Sequence, residues 1–244
     1  MKPRPPRQPL SLSVVLPCYN EEANVERVAL AALAMARRVA PADHEIIVVN
    51  DGSRDRTAQI AEALSRTHPS IRVVHNQPNQ GYGGALQSGF RAARKAWVFY
   101  TDGDGQFDVE EIDKLLPLLE HADIVSGYRT RRRDPLHRRI NGWGWTFLTN
   151  RVLGLRMRDV DSAFKIYPRH LFETISMWSR SALIDAEILA KAQRAGYRVA
   201  EVGVRHLPRV AGAQTGAKLS SILRALRELF TLWRRIRAEH ADRP

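Results

Sequence analysis

At 244 residues, with 44% hydrophobic and 26% charged residues, the chain is long enough for a sizeable core and too apolar to be disordered. Its single cysteine, Cys18, excludes a disulfide framework and a cysteine-based zinc cage, and fits a reducing cytosol. No apolar run reaches the ~18 residues that span a bilayer, and a net charge of +12 with a pI near 10.5 calls for an anionic partner: nucleic acid, anionic lipid or a phosphorylated substrate.

Residues 1–10, MKPRPPRQPL, read as a flexible, basic, Pro-rich tail without the apolar centre of a signal peptide. Leu12–Leu16 reads as a first strand, followed by the turn Pro17-Cys18-Tyr19-Asn20-Glu21-Glu22, with Asn20 placed to cap a helix over Ala23–Val39. A second strand, Glu45–Asn50, ends in Asp51-Gly52-Ser53, and Asp55 and Thr57 open a helix that stops near Thr67. A third strand, Ile71–His75, leads into Asn76–Gly84, a Gly-rich turn before a helix from Ala85 to about Arg94. Backbone N–H groups at such a helix entry can cradle phosphate, although GYGG also suits a plain loop.

The most informative stretch is Ala96–Asp108, AWVFYTDGDGQFD. Trp97–Tyr100 is the apolar, aromatic run of a buried strand, broken abruptly by Asp102-Gly103-Asp104-Gly105-Gln106. The glycines allow a sharp turn, so two carboxylates and an amide oxygen stand at the carboxyl end of a strand, where open α/β sheets bind ligands. Hard oxygen donors there suit Mg²⁺ or Mn²⁺ and hence a diphosphate. A helix near Val109–Leu119 and a strand over Asp123–Ser126, ending Gly127-Tyr128-Arg129, complete a strand–helix alternation that predicts a mostly parallel sheet.

The second half changes character. Arg129–Arg139 is arginine-rich, Ile140–Leu153 reads as a helix, and Asp159-Val160-Asp161-Ser162 leads to a short strand over Phe164–Tyr167. Asp159 and Asp161 either brace a turn or belong to a site. A helix over Ala182–Ala195 carries Asp185 and Glu187, a strand covers Val199–Val204, and Arg209–Thr215 is a loop of small residues with one arginine. Ala217–Glu239 repeats apolar residues at helical spacing beside Arg224, Arg227, Arg234, Arg235 and Arg237. That pattern reads either as an interfacial membrane helix or as a helix packed on the body with a basic outer side.

Taken in order, LPCYNEE, NDGSRDRT, NQGYGG and DGDGQFD resemble the inverting family 2 glycosyltransferases of the GT-A fold. The likeness is to the polyprenyl-phosphate hexose branch, dolichol-phosphate mannose synthase-like, over roughly Leu12–Thr215. The resemblance implies a basic tail (1–10), a GT-A domain (11–215) with a mostly parallel Rossmann-like sheet, and an amphipathic C-terminal helix (216–244). It implies that Pro17, Tyr19, Asn20 and Glu21 line a nucleotide pocket, that Asp51 meets the base or ribose, and that Gly81, Gly84 and Gly103 let the backbone approach the nucleotide. The metal-binding pair falls on Asp102 and Asp104, with Gln106 as third ligand. Arg129, with Arg138 or Arg139, falls where a lipid phosphate binds, Asp159 and Asp161 lie beside the sugar, and Arg209 faces the diphosphate. The Q-x-x-R-W signature of processive polysaccharide synthases is missing, and so are the membrane-spanning helices that many relatives carry after the domain.

The reaction implied is metal-dependent transfer of a hexose from a GDP- or UDP-linked sugar to a polyprenyl phosphate. The enzyme would work peripherally at the inner, cytoplasmic face of a membrane, with or without a separate membrane subunit. A hydroxyl acceptor is the alternative, with Asp159, Asp161 or Glu187 as base. No RNP-type or zinc-finger spacing supports a nucleic-acid partner.

Overall fold

The computed structural model describes residues 9–130, 136–208 and 219–241, with side chains described for 142–208 and 225–239 of the latter two stretches. Among these residues seven strands form one sheet in the order β3-β2-β1-β4-β6-β5-β7: β1 (Ser11–Cys18), β2 (Asp43–Asn50), β3 (Ile71–His75), β4 (Trp97–Thr101), β5 (Ile124–Thr130), β6 (Phe164–Pro168) and β7 (Val199–Arg205). All neighbours are parallel except β6, which runs antiparallel to both β4 and β5. Among the described residues seven helices accompany them: α1 (Val25–Val39), α2 (Thr57–Thr67), α3 (Gly81–Ala92), α4 (Leu136–Leu153), α5 (Leu171–Thr174), α6 (Ile184–Arg194) and α7 (Leu219–Ala241). The mostly parallel α/β architecture expected from the alternation is present.

β1 is buried from Leu12 to Cys18 without alternation, because helices cover both faces of a central parallel strand. Its register with β2 (Cys18↔Asn50) and β4 (Val15↔Tyr100) brings the turns after all three strands to one edge. Antiparallel β6 completes that edge from the other direction. Thr101 pairs with Phe164, so the segment entering β6, Asp159–Ala163, arrives beside the segment leaving β4.

Three local expectations change. The helix expected over Val109–Leu119 is two 3-10 turns, Val109–Lys114 and Leu116–Glu120, because Pro117 lacks the N–H that an α-helix needs there. Helix α3 starts at Gly81 rather than Ala85, so the Gly-rich stretch is its first turn. Helix α1 starts at Val25, which leaves Asn20 outside it and without a capping role. At the far end, α7 packs through Leu229, Leu232 and Ile236, all buried in the common core, against the body and α4.

Candidate active site

The turns at the shared edge are stitched to one another by side chain–backbone bonds. Asn20 adopts a left-handed backbone (φ 56°), tolerable for asparagine, and its Oδ1 accepts from the Arg54 N–H at 2.8 Å while its own N–H donates to Ser53 Oγ at 3.0 Å. Asp51 is buried; its Oδ1 accepts from Asn76 Nδ2 (2.8 Å) and the Gln80 N–H (2.9 Å), and so holds the turn after β3 against the turn after β2. The Gly103 N–H donates to the Pro17 carbonyl at 3.2 Å, and a Cβ at Gly103 would stand 2.4 Å from Cys18 Sγ. Burial, aided by Glu21, Asp102 and Asp104, pushes the Cys18 thiol far up, so it stays protonated and is no nucleophile.

Between these turns lies a cavity of about 350 Å³ lined by Pro17, Tyr19, Glu21, Asp51, Tyr82 and the Asp102–Asp104 turn. Tyr19, 46% exposed, and Asn79 separate it from an adjoining cavity of about 800 Å³ that includes Asn50, Arg54, His75 and Pro78. Pro17, Tyr19, Glu21, Asp51, Gly81, Asp102 and Gly103, expected at a nucleotide, therefore share one cleft.

The glycines of the α3 entry answer to a different neighbour than expected. A Cβ at Gly81 would meet the Arg180 carbonyl at 2.7 Å, one at Gly83 the Ser179 carbonyl at 2.5 Å, and one at Gly84 would crowd Gln80 and Arg180. Their smallness admits the Ser179–Ser181 segment, whose Arg180 carbonyl accepts from the Gly83 N–H at 3.0 Å. That segment is fixed by Glu187, whose carboxylate accepts from the Trp178 and Ser179 N–H groups (2.9 and 2.7 Å) and pairs with Lys191 at 2.9 Å. Glu187, considered as a base for a hydroxyl acceptor, is fully buried in this brace and is removed from that role.

Asp102 and Asp104 face the cleft. Tyr82 hydrogen-bonds Asp102, whose Oδ1 is buried without a partner; burial and the neighbouring Asp104 push its carboxyl up to about 8. Asp104 Oδ1 accepts from the Gln106 N–H at 2.9 Å, which tightens the turn. Gln106, expected as a third ligand, is turned to the backbone of Leu207: its Nε2 donates to that carbonyl at 3.2 Å and its own carbonyl accepts from the Leu207 N–H at 2.7 Å. Among the described residues no group of three or more His, Cys, Asp or Glu forms a metal cage. Two crowded carboxylates with an orphaned buried oxygen still fit a divalent cation, since Mg²⁺-type sites commonly take one or two carboxylates and complete themselves with substrate phosphate and water.

Arg129, at the end of β5, forms a bidentate pair with Asp159 (Nε–Oδ2 and Nη2–Oδ1, both 2.7 Å), and its N–H also reaches Oδ2 at 3.2 Å. Asp159 thus braces the entry to β6 against β5 rather than standing open beside a sugar. Asp161, two residues on, keeps a buried Oδ1 without a partner, and burial together with Asp185 raises its carboxyl to about 6. Beneath lies a buried set that sequence reading missed. Lys165 Nζ bonds Asp185 Oδ1 at 2.8 Å, the Tyr100 hydroxyl at 3.2 Å and the Ser162 carbonyl, and the Tyr100 hydroxyl donates to Asp185. Its only sequence signal was charge inside two apolar runs, Lys165 in FKIYP and Asp185 with Glu187 in ALIDAEILA. Arg138 and Arg139 fall in the first turn of α4 with side chains outside the described residues, and Arg209 lies outside them altogether.

The family model for glycosyl transferase family 2 matches residues 13–176. The chain belongs to that family. It is 33% identical over 209 residues to the glycosyltransferase AglD of Haloferax volcanii, covering 82% of this chain but only 34% of that protein. It is 31% identical over 202 residues to a dolichyl-phosphate hexose transferase of the same organism, covering 81% of this chain and 83% of the relative. Among solved structures, glucosyl-3-phosphoglycerate synthase from Mycobacterium tuberculosis, in complex with Mn²⁺, UDP and glucosyl-3-phosphoglycerate, superposes with a TM-score of 0.68 at 20% identity, over 95% of this chain and 85% of that one. The last comparison establishes the shared GT-A fold.

Proposed function

We propose that this protein transfers a hexose, with inversion, from a nucleoside-diphosphate sugar to a polyprenyl phosphate, using Mg²⁺ or Mn²⁺. The observation that carries the reading is the Asp102–Asp104 turn, two carboxylates crowded at the end of a nucleotide-sized cleft. A divalent cation held there by Asp102 and Asp104 would neutralise charge on the departing diphosphate. Tyr82 keeps Asp102 oriented, the Asp51-centred mesh keeps the cleft open beside it, and Tyr19 offers a ring for the base of a UDP or GDP moiety. The Mn²⁺ and UDP bound by the mycobacterial structure support the donor side, and the name of the archaeal hexose transferase supports the acceptor.

A phosphate acceptor also suits the charge distribution. A phosphate monoester has a second pKa of about 6 and is largely dianionic at neutral pH, so it needs cations to place it more than a base to deprotonate it. Arg129 is held by Asp159 at the end of β5; Arg138 and Arg139 belong to the same assignment, while Arg209 is assigned to the donor diphosphate. A polyprenyl tail resides in a bilayer, so the reaction takes place at the cytoplasmic membrane surface, with or without a membrane subunit. No helix among the described residues is long and apolar enough to cross one.

One observation favours a second reading. Asp161, raised to about 6 with a buried unpartnered oxygen, has the character of a general base for a hydroxyl acceptor. Incubating the protein with Mn²⁺ or Mg²⁺, a panel of UDP- and GDP-sugars and either a short polyprenyl phosphate or glycan acceptors decides between them. Lipid-linked product from one donor supports the phosphate acceptor; donor hydrolysis with product only on glycan acceptors overturns it in favour of Asp161.

A further inference from the structure

Two neighbouring helices carry large apolar side chains that the fold leaves in water. On α4, Trp143 is 70% and Phe147 60% exposed; they lie one turn apart with rings stacked at 5.8 Å, and exposed Arg151 continues the line by another turn. The other side of α4 is seated through buried Thr146, Thr149 and Leu153. On α7, the seated side is Leu229, Leu232 and Ile236, while Leu226 is 40% and Phe230 57% exposed. Phe230 stacks on Trp233 at 5.5 Å, and Arg237 lies over the Trp233 ring at 4.9 Å.

The charges beside these side chains are sorted. Arg235 lies over Trp178, and Glu239 approaches Lys191 at 3.6 Å, so both face the body. Arg227 and Arg234, about one turn to either side of Phe230, are exposed, and α4 contains no acidic residue. We infer that the outer faces of α4 and α7 together form a contact for an anionic bilayer, with Trp143, Phe147, Leu226 and Phe230 entering the headgroup boundary and Arg151, Arg227 and Arg234 meeting lipid phosphates. Aromatic rings favour that depth, and juxtamembrane arginines add attraction to anionic lipid. A second copy of the chain fits poorly, because joining two such faces sets arginine against arginine.

This surface goes beyond an anchor made of the C-terminal helix alone. Helix α4 lies in the chain between Arg129 and Asp159, so seating it on lipid would draw that ion pair toward the bilayer. Only that consequence rests on the polyprenyl-phosphate acceptor proposed above.

The test is co-sedimentation of the full chain with phosphatidylcholine vesicles, with and without phosphatidylglycerol, at low and high salt. The parent is expected to bind the anionic vesicles and to leave them at high salt. Trp143→Ser with Phe147→Ser, and separately Leu226→Ser with Phe230→Ser, are each expected to weaken that binding at least tenfold while keeping the thermal melt. Should either pair fail to fold, Arg151→Glu and Arg234→Glu, at exposed positions outside the core, are expected to weaken binding to phosphatidylglycerol vesicles alone. Parent-like binding by the α4 variants overturns the two-helix surface, and so does a parent that ignores anionic vesicles or a lipid-free dimer that these substitutions dissolve. Vesicle binding without transfer to polyprenyl phosphate leaves the surface standing and sinks the acceptor reading instead.

Discussion

The donor and acceptor sides of the site proposed above are built on different principles. At the donor end, the turns after β1, β2 and β3 are locked by single short bonds: the Asn20 amide oxygen to backbone, and the Asp51 carboxylate to the Asn76 amide and the Gln80 N–H. At the acceptor end, order comes from ion pairs, Arg129 with Asp159 and Lys165 with Asp185, and the flanking helices leave aromatic side chains in water. A mesh of short bonds to fixed backbone and amide groups suits a soluble ligand that must be met with fixed geometry. Charge pairs and an apolar rim suit a ligand that arrives with a charged head and a lipid tail.

The junction of the two ends should be the most sensitive point. Asp104→Ala is expected to lower transfer by about a thousandfold, in the range for removal of a group that stabilises developing charge, while the thermal melt stays close to the parent's. Calorimetry with UDP should show the parent binding more tightly with Mn²⁺ and the variant indifferent to it. Equal Mn²⁺ dependence in both would remove Asp104 from the metal assignment.

Next in size comes the acceptor end's foundation. Lys165→Met leaves Asp185 as a buried charge without its cation, which costs about 3–5 kcal/mol by the usual behaviour of broken buried pairs. Adding Asp185→Asn should recover a good part of that loss in denaturant melts, because the stranded charge goes too. A double variant no better than the single would mean that the pair acts through packing rather than charge.

What the sequence made legible follows from this division. The turn residues at the donor end lie within a few positions of the strand ends that carry them, so their grouping could be read from the chain. Gly81 and Gly84 were legible as special but not as to why, since the segment they accommodate, Ser179–Ser181, lies about a hundred residues away. Gln106 is likewise turned aside by a distant partner, Leu207. The Lys165–Tyr100–Asp185 set depends on antiparallel β6 and α6 meeting β4, a long-range pairing that no local pattern encodes.

Glycines offer a smaller-scale contrast of the two ends. Gly83→Ala places a Cβ 2.5 Å from the Ser179 carbonyl and 2.7 Å from that of Ser181, an overpacking expected to cost about 1–3 kcal/mol. Gly144→Ala, in α4 with nothing within 4 Å of its Cβ, should instead stabilise by up to about 1 kcal/mol through helix propensity. Thermal melts of the two variants should move in opposite directions. Equal shifts would mean that the α3 entry yields to the intrusion.

The mildest effect tests the electrostatics of the acceptor end through pH. Asp161 is raised to about 6 in the folded chain, above its ordinary value near 4, so the folded form holds its proton more tightly than the unfolded one. Its stabilising contribution is therefore complete below about pH 4 and is lost as pH rises through 6. Above that, the half-buried carboxylate weighs against folding by an amount on the order of 1–2 kcal/mol after allowance for partial solvation. Asp161→Asn should then melt higher than the parent at pH 7.5, and the gap should close as the pH is lowered toward 4. A gap that widens on acidification would mean that the Arg129 and Lys165 cations, not burial and Asp185, dominate at this carboxylate. In that case the Asp161 carboxylate would hold a proton too weakly to stand as a general base.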